Sequence, residues 1–320
     1  MKISVVIPIF NEEENLTLLY EELTQVMTSL DRPYEILFVD DGSKDSSLAI
    51  LQSLQEDDSK VVVVQFRRNF GQTAAMSAGF DYSSGDVIIT MDGDLQNDPG
   101  DIPSFIEKIE EGFDVVTGWR HERKDKFLSR RLPSIIANKI ISWTTGVALH
   151  DYGCTLKAFR KEVIKAIRLY GEMHRFIPAI ASGMGISFTE IKVNHRARQF
   201  GTSKYGISRT IRVVLDLITV KFLLSYATRP IQIFGLLGVI SGTAGFLIAL
   251  IMTIQRQLFN VPLSDRPLLL LAILLIFMGL QFVSMGLIGE LQARTYHETQ
   301  EKPVYYVKKV YGFQQQEPEV

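Results

Sequence analysis

Short apolar runs alternate with amphipathic stretches over the first half of the chain. "ISVVIPIF", "YEILFVD", "KVVVVQF", "GDVIITMD" and "FDVVTGW" are rich in Val and Ile. Continuous apolar runs of this length predict strands buried on both faces, as in a parallel sheet. Between most of them lie segments such as "EENLTLLYEELTQVMTSL" and "KDSSLAILQSLQ", with apolar residues at helical spacing. Strand, helix and strand in repetition predict an α/β fold with a largely parallel sheet. Ligands of such sheets bind beyond the carboxyl ends of the strands. The polar clusters that follow the runs, "PIFNEEEN", "VDDGSKD" and "MDGDLQND", should therefore gather Asp40, Asp41, Asp92 and Asp94 along one rim.

The pattern changes beyond residue 205. From Tyr205 to Arg229, Ile207, Ile211, Val214, Leu215, Ile218 and Phe222 recur at helical spacing, interrupted by Arg209, Arg212, Asp216 and Lys221. Periodicity alone fits a soluble amphipathic helix; beside a membrane span, a helix lying in the interface is the preferred reading. Ile231–Ile254 and Pro267–Gly289 then contain no charged residue. Each is long enough to cross a hydrocarbon core of about 30 Å at about 1.5 Å per residue. The expected organisation is a soluble domain over 1–205, interface helices over 206–229, a transmembrane hairpin over 230–292 and a tail over 293–320. Gly235, Gly238, Gly242 and Gly245 suit close helix packing, within one chain or between copies in a homo-oligomer.

Charge decides orientation. Lys221 and Arg229 precede the first span, and Arg294, Lys302, Lys308 and Lys309 follow the second. The positive-inside bias puts the soluble domain and both termini in the cytoplasm, against two arginines in the loop "QRQLFNVPLSDR". The opening "MKISVVIPIFNEEE" has too short an apolar run for a signal peptide. With a formal net charge of -2 over 320 residues, no global basic field argues for nucleic acid. Cys154 stands alone, which excludes an intramolecular disulfide and fits a packed small residue. His150, His174 and His195 are scattered and read as structural or surface residues.

"MDGDLQ" carries the most chemistry. Asp92 and Asp94 are two positions apart, so in an extended segment they point the same way, and Gly93 between them permits close backbone approach. Two hard carboxylates suit Mg²⁺ or Mn²⁺, which completes its shell with water and substrate phosphates, and Gln96 offers a neutral oxygen. Solvated loop acids are the competing reading of an isolated D-x-D. The place of this pair at a strand end, with "VDDGS" at another, favours the metal. "VDDGSKDSS" itself reads two ways. Asp45 or Ser46 suits a helix N-cap, whereas Asp40 or Asp41 suits hydrogen bonding to a base or ribose.

"VVIPIFNEEEN", "VDDGSKD", "RNFGQTAAMSAGF" and "MDGDLQNDP" resemble the family 2 glycosyltransferases, which have the GT-A fold. The continuation "VTGWR", "DYGCTLKAFR" and "HRARQFGTSKY", with two C-terminal spans, is similar to the polyprenyl-phosphate glycosyltransferases. These include dolichyl-phosphate mannose synthase and the bacterial undecaprenyl-phosphate aminoarabinose-type enzymes. The resemblance covers nearly all of residues 3 to 310. It implies that Pro8, Phe10, Asn11, Glu12, Asp40 and Asp92 bind the nucleotide of a UDP- or GDP-sugar donor. Many relatives have Tyr where Phe10 stands. Asp92, Asp94 and Gln96 would hold Mg²⁺ or Mn²⁺ on the donor pyrophosphate. Arg120, Arg130 or the adjacent Arg131, and Ser134 would bind the acceptor phosphate, while Arg198 and Lys204 would close over the phosphates.

Physical chemistry supports that use of the cations. A nucleotide sugar and a lipid phosphate are both anionic, and Arg binds phosphate as a fork, Lys as a point charge. Arg209 and Arg212 are left to anionic lipid at the interface. A phosphate acceptor is already anionic near neutral pH, so positioning and charge neutralisation should outweigh base catalysis. Asp151 in "HDYGCTLKAFR" is a candidate to orient the acceptor, or a structural loop carboxylate. The expected activity is inverting transfer of one sugar to a polyprenyl phosphate at the inner membrane. Two other readings compete. A processive polysaccharide synthase would carry a Q-x-x-R-W motif, and neither Trp119 nor Trp143 lies in one. A non-catalytic membrane scaffold or flippase-like protein has no need of the acidic strand-end clusters.

Overall fold

In the computed structural model, residues 1–121, 142, 147, 149–167, 177–182, 185–197, 231–259, 262, 267–299 and 305–312 are described. The chain divides into two units, one formed by Met1–Val220 with Pro303–Val320, the other by Lys221–Lys302.

In the first unit the apolar runs become strands because only a sheet covered on both faces can bury side chains of both parities. β1 (Ile3–Ile9), β2 (Tyr34–Asp40) and β3 (Val61–Phe66) pair in parallel, and β4 (Val87–Thr90) joins β1 on its other side. Every residue of β2 and β3 is buried. The intervening helices are α1 (Leu16–Ser29), α2 (Ser47–Asp57) and α3 (Gln72–Tyr82). α1 buries Leu16, Leu19, Leu23 and Met27, the spacing of one helical face, against the strands.

The chain continues through α4 (Ile102–Glu110), β5 (Val115–Trp119), β6 (Lys157–Arg160), α5 (Lys161–Ala166), α6 (Ile177–Ser182) and β7 (Phe188–Lys192). The sheet order is β7-β5-β6-β4-β1-β2-β3-β8. β8 is Val307–Tyr311. β6 and β8 run against their neighbours and the other strands share one direction. The chain reverses its lateral progress at β1, passing from β3 back to β4, and such a switch point opens a crevice at the carboxyl ends.

Sequence patterning finds β1 to β5 and misses three strands. "KAFR" and "FTEIK" are short and mixed, and tertiary pairing, not periodicity, makes them strands. β8 falls in the stretch that the sequence assigns to a tail. It pairs antiparallel with β3, covering an edge that would otherwise present unpaired backbone groups. The expected interface helices, Tyr205–Arg229, lie outside the described residues.

The second unit contains α7 (Ile231–Phe259) and α8 (Pro267–Thr299), within which Phe234–Phe259 and Pro267–Gly289 are long and apolar enough to cross a membrane. Their contact is glycine-lined. A Cβ on Gly279 would lie 2.7 Å from the Gly238 oxygen, and one on Gly245 would lie 2.6 Å from the Ala272 oxygen. Gly238 and Gly245 thus pack within one chain, whereas a Cβ on Gly242 would meet nothing within 4 Å.

Candidate active site

The carboxyl ends of β1, β2 and β4 carry the predicted acidic clusters, and the structure separates their roles. Asp40, at the end of β2, is 1% exposed and accepts a hydrogen bond from the Ser43 N–H at 3.1 Å. Burial raises its pKa, partly opposed by the Ser43 hydrogen bonds. It lines a cleft of about 540 Å³ together with Phe10, Gln65 and Lys308. Asp41 turns the other way. Its oxygens accept the N–H groups of Phe70 at 2.6 Å and Gly71 at 2.9 Å, which fixes the loop leading into α3. Asp41 is thus engaged by loop backbone, whereas Asp40 stays in the cleft. Gly42 has a φ of +71°, and a Cβ there would lie 2.6 Å from the Arg68 carbonyl carbon, so the turn needs glycine.

Pro8 is a strand residue paired with Val39, and Phe10 faces the cleft. Asn11 adopts a φ of 53° and ties two loops together: its N–H donates to Ser43 Oγ at 3.0 Å and its carboxamide oxygen accepts the Lys44 N–H at 2.8 Å. Glu12 accepts from the Asn15 side chain at 2.7 Å. Both residues brace the rim between β1 and β2.

At the end of β4, Asp92 is held from both sides. Gln72 donates to Oδ1 at 2.8 Å and the Thr155 hydroxyl to Oδ2 at 2.7 Å. Gly93 sits against β1, where a Cβ would lie 2.5 Å from Ile9 Cδ1. Asp94 is 6% exposed and accepts the Gln96 N–H at 3.2 Å, with Leu95 in the left-handed region at a φ of 61°. Among the described residues no three His, Cys, Asp or Glu side chains converge as a metal cage. Asp92, Asp94 and Gln96, the expected ligands, would offer only oxygen donors, two carboxylates and an amide. That fits Mg²⁺ or Mn²⁺, hard ions that take few protein ligands and fill their shell from phosphates and water.

The end of β5 adds a cation. Arg120 Nε donates to Asp151 Oδ2 at 2.7 Å and Nη2 to Oδ1 at 2.9 Å, with the side chains 16% and 3% exposed. Burial pulls the guanidinium pKa down, but the two-pronged pairing with Asp151 more than offsets it and the net shift is upward. Asp151 also accepts the Gly153 N–H at 3.0 Å, and its own N–H is held by Glu190 of β7. Glu190 further binds His150, whose ring stacks on Trp119 at 4.2 Å. Asp151 thus positions Arg120 directly. Arg130, Arg131, Ser134, Arg198 and Lys204 lie outside the described residues.

Sequence reasoning missed the supports. Thr155 and Lys157 belong to "DYGCTLKAFR", Gln72 to "RNFGQT" and Glu190 to a strand that patterning does not find. Lys157 is 2% exposed, with Nζ donating to the carbonyls of Tyr152 and Cys154. Burial lowers its pKa. It braces the turn that delivers both Asp151 and Thr155. Cys154 is fully buried and burial pushes its thiol up to about 11, so it is a packing residue and not a nucleophile.

Residues 4–168 match the family described as glycosyl transferase family 2. The chain belongs to that family. It is a glycosyltransferase, and its mostly parallel sheet is that of the GT-A fold. Likeness to individual relatives extends well beyond residue 168. Dodecaprenyl-phosphate galacturonate synthase of Rhizobium johnstonii is 43% identical over 320 residues, covering 99% of this chain and 95% of the relative. Undecaprenyl-phosphate 4-deoxy-4-formamido-L-arabinose transferase of Yersinia enterocolitica is 39% identical over 318 residues, covering 99% and 95%. Among solved structures, glucosyl-3-phosphoglycerate synthase of Mycobacterium tuberculosis, in complex with Mn²⁺, UDP and glucosyl-3-phosphoglycerate, superposes with a TM-score of 0.54. It is 16% identical and the match covers 70% of this chain and 79% of that one, a likeness of fold alone.

Proposed function

We propose that this glycosyltransferase moves a single sugar, with inversion, from a UDP- or GDP-sugar to a polyprenyl phosphate of the undecaprenyl class. The reaction would take place at the cytoplasmic face of the inner membrane and depend on Mg²⁺ or Mn²⁺. One observation carries the reading: over its whole length the chain matches two enzymes whose names differ in the sugar but share a polyprenyl-phosphate acceptor. The helices α7 and α8, long and apolar enough to span a bilayer, suit an acceptor that is itself in the membrane.

In this reading an oxygen of the lipid phosphate forms the new bond to the anomeric carbon while the bond from that carbon to the donor diphosphate breaks. The nucleoside diphosphate leaves with the electron pair. Asp92, Asp94 and Gln96 would hold a divalent ion that neutralises charge on the leaving diphosphate. Gln72 and Thr155 keep Asp92 oriented, so little reorganisation is needed when the donor arrives. Arg120 would pair the incoming phosphate, with Asp151 holding its guanidinium plane. Pro8, Phe10, Asn11, Glu12 and Asp40 would surround the nucleoside. Arg130 or Arg131, Ser134, Arg198 and Lys204 would complete the phosphate contacts.

The test uses membranes containing the protein, undecaprenyl phosphate and a panel of radiolabelled nucleotide sugars, with counting of the lipid extract. Label should enter the lipid with at least one donor, disappear with EDTA, return with Mn²⁺ or Mg²⁺, and be absent for Asp94→Ala. Label accumulating in polymer and not in lipid would replace this reading with a processive synthase.

A further inference from the structure

β8 lies beyond the two apolar helices in sequence, yet one of its side chains, Lys308, lines the cleft that holds Asp40. Register explains how. Asp40 of β2 stands opposite Gln65 of β3, and Gln65 stands opposite Lys309 of β8. The next pair is Phe66 with Val307, so the ladder shifts there and Lys308 is the extra residue on β8. A bulge of this kind re-aims a side chain. Lys309, its neighbour, instead places Nζ 4.5 Å from the centre of the Tyr311 ring. The seat of the strand is firm: Tyr305 stacks on Phe66 at 5.1 Å and donates to Asp81 at 2.8 Å, and the Arg67 N–H donates to the Tyr306 carbonyl at 3.0 Å.

The charge of the cleft asks for a ligand rich in oxygen acceptors. Lys44, Arg67, Arg68 and Lys308 all line it, and among the described residues none of them forms an ion pair. Asp40 is the sole acid among the described lining residues. The lining includes neither Asp92, Asp94 nor Gln96, so a donor with its diphosphate at the end of β4 would turn its nucleoside toward β2, β3 and β8.

We propose that Lys308 is a donor-binding residue that hydrogen-bonds the nucleoside portion, which makes the strand after the helical hairpin a component of the donor site. This rests on the nucleotide-sugar reading above. The experiment is titration calorimetry of the full-length protein in detergent micelles with UDP and with GDP, each with Mn²⁺. Lys308→Ala should weaken the better-bound nucleotide about tenfold, Lys308→Gln should weaken it less because it keeps a donor, and Lys309→Ala should leave it unchanged. Thermal unfolding of the exposed-site variants should match wild type, which separates ligand loss from misfolding. If Lys308→Ala binds as wild type does while Asp40→Ala is weakened, this inference fails and the donor reading stands. Equal weakening by Lys309→Ala would mark a diffuse positive field and also overturn it. A wild-type protein that binds neither UDP nor GDP would remove both.

Discussion

At the residue scale the site is built from pairs in which one partner fixes the other. Asp151 and Arg120 form a buried, forked ion pair, so truncating one side leaves a buried charge uncompensated. Asp151→Ala should lower the unfolding free energy by about 3–5 kcal/mol, read from the denaturation midpoint. Arg120→Lys, which keeps charge but loses the fork, should leave the midpoint closer to wild type while transfer falls about 10- to 100-fold. If Asp151→Ala unfolds as wild type does, the pair has no structural role. Asp41 contributes a pH signature. Burial lifts its carboxyl from 3.8 to about 6 against the pull of the Phe70 and Gly71 amides. Between those values the folded state binds the proton more tightly than the unfolded chain, so the stability from Asp41 falls as pH rises from about 4 to 6 and is level above. The change is on the order of 3 kcal/mol. Asp41→Asn, which cannot titrate, should therefore gain stability relative to wild type through that window in melts from pH 4 to 8. A pH-independent difference would contradict this. Lys157, Thr155 and Gln72 were not legible as site residues because their role depends on what folds back against them.

At the element scale, backbone approach decides what each segment tolerates. α7 and α8 meet at glycines, and a Cβ at Gly279 would lie 2.7 Å from both the Gly238 oxygen and the Gly242 nitrogen. Gly279→Val should thus force the helices apart and cost about 1–3 kcal/mol, seen as a lower melting temperature in detergent. Gly242→Ala is the internal control, since a Cβ there meets nothing within 4 Å, and it should melt as wild type does. β8 depends on Tyr305, which is 7% exposed and both stacks on Phe66 and donates to Asp81. Tyr305→Ala should destabilise the first unit by about 3–5 kcal/mol in urea unfolding. A loss below about 1 kcal/mol would show that the strand is held by its ladder alone. The five strands that the sequence announces are continuous apolar runs. β6, β7 and β8 carry no comparable pattern, because their burial is decided by neighbours far along the chain.

At the scale of the whole molecule, the flanking lysines and arginines predict an orientation that reporters can test. A fluorescent protein fused to the C-terminus should mature, and alkaline phosphatase at the same place should be inactive, if the soluble unit faces the cytoplasm. The reverse pattern would place the site on the other side and remove cytoplasmic nucleotide sugars as donors. The sequence by itself determined the class of fold, the two apolar helices, and the gathering of Asp40, Asp41, Asp92 and Asp94 at strand ends, because burial periodicity and strand direction are local properties. Only the tertiary structure decided which acid does what. It turned Asp41 into a loop clamp, committed Asp151 to Arg120 and kept Asp40 in the cleft. It also brought a strand from beyond the helices to the edge of the sheet beside β3. Those outcomes depend on contacts between residues far apart in the chain, and periodicity along the chain holds no record of them.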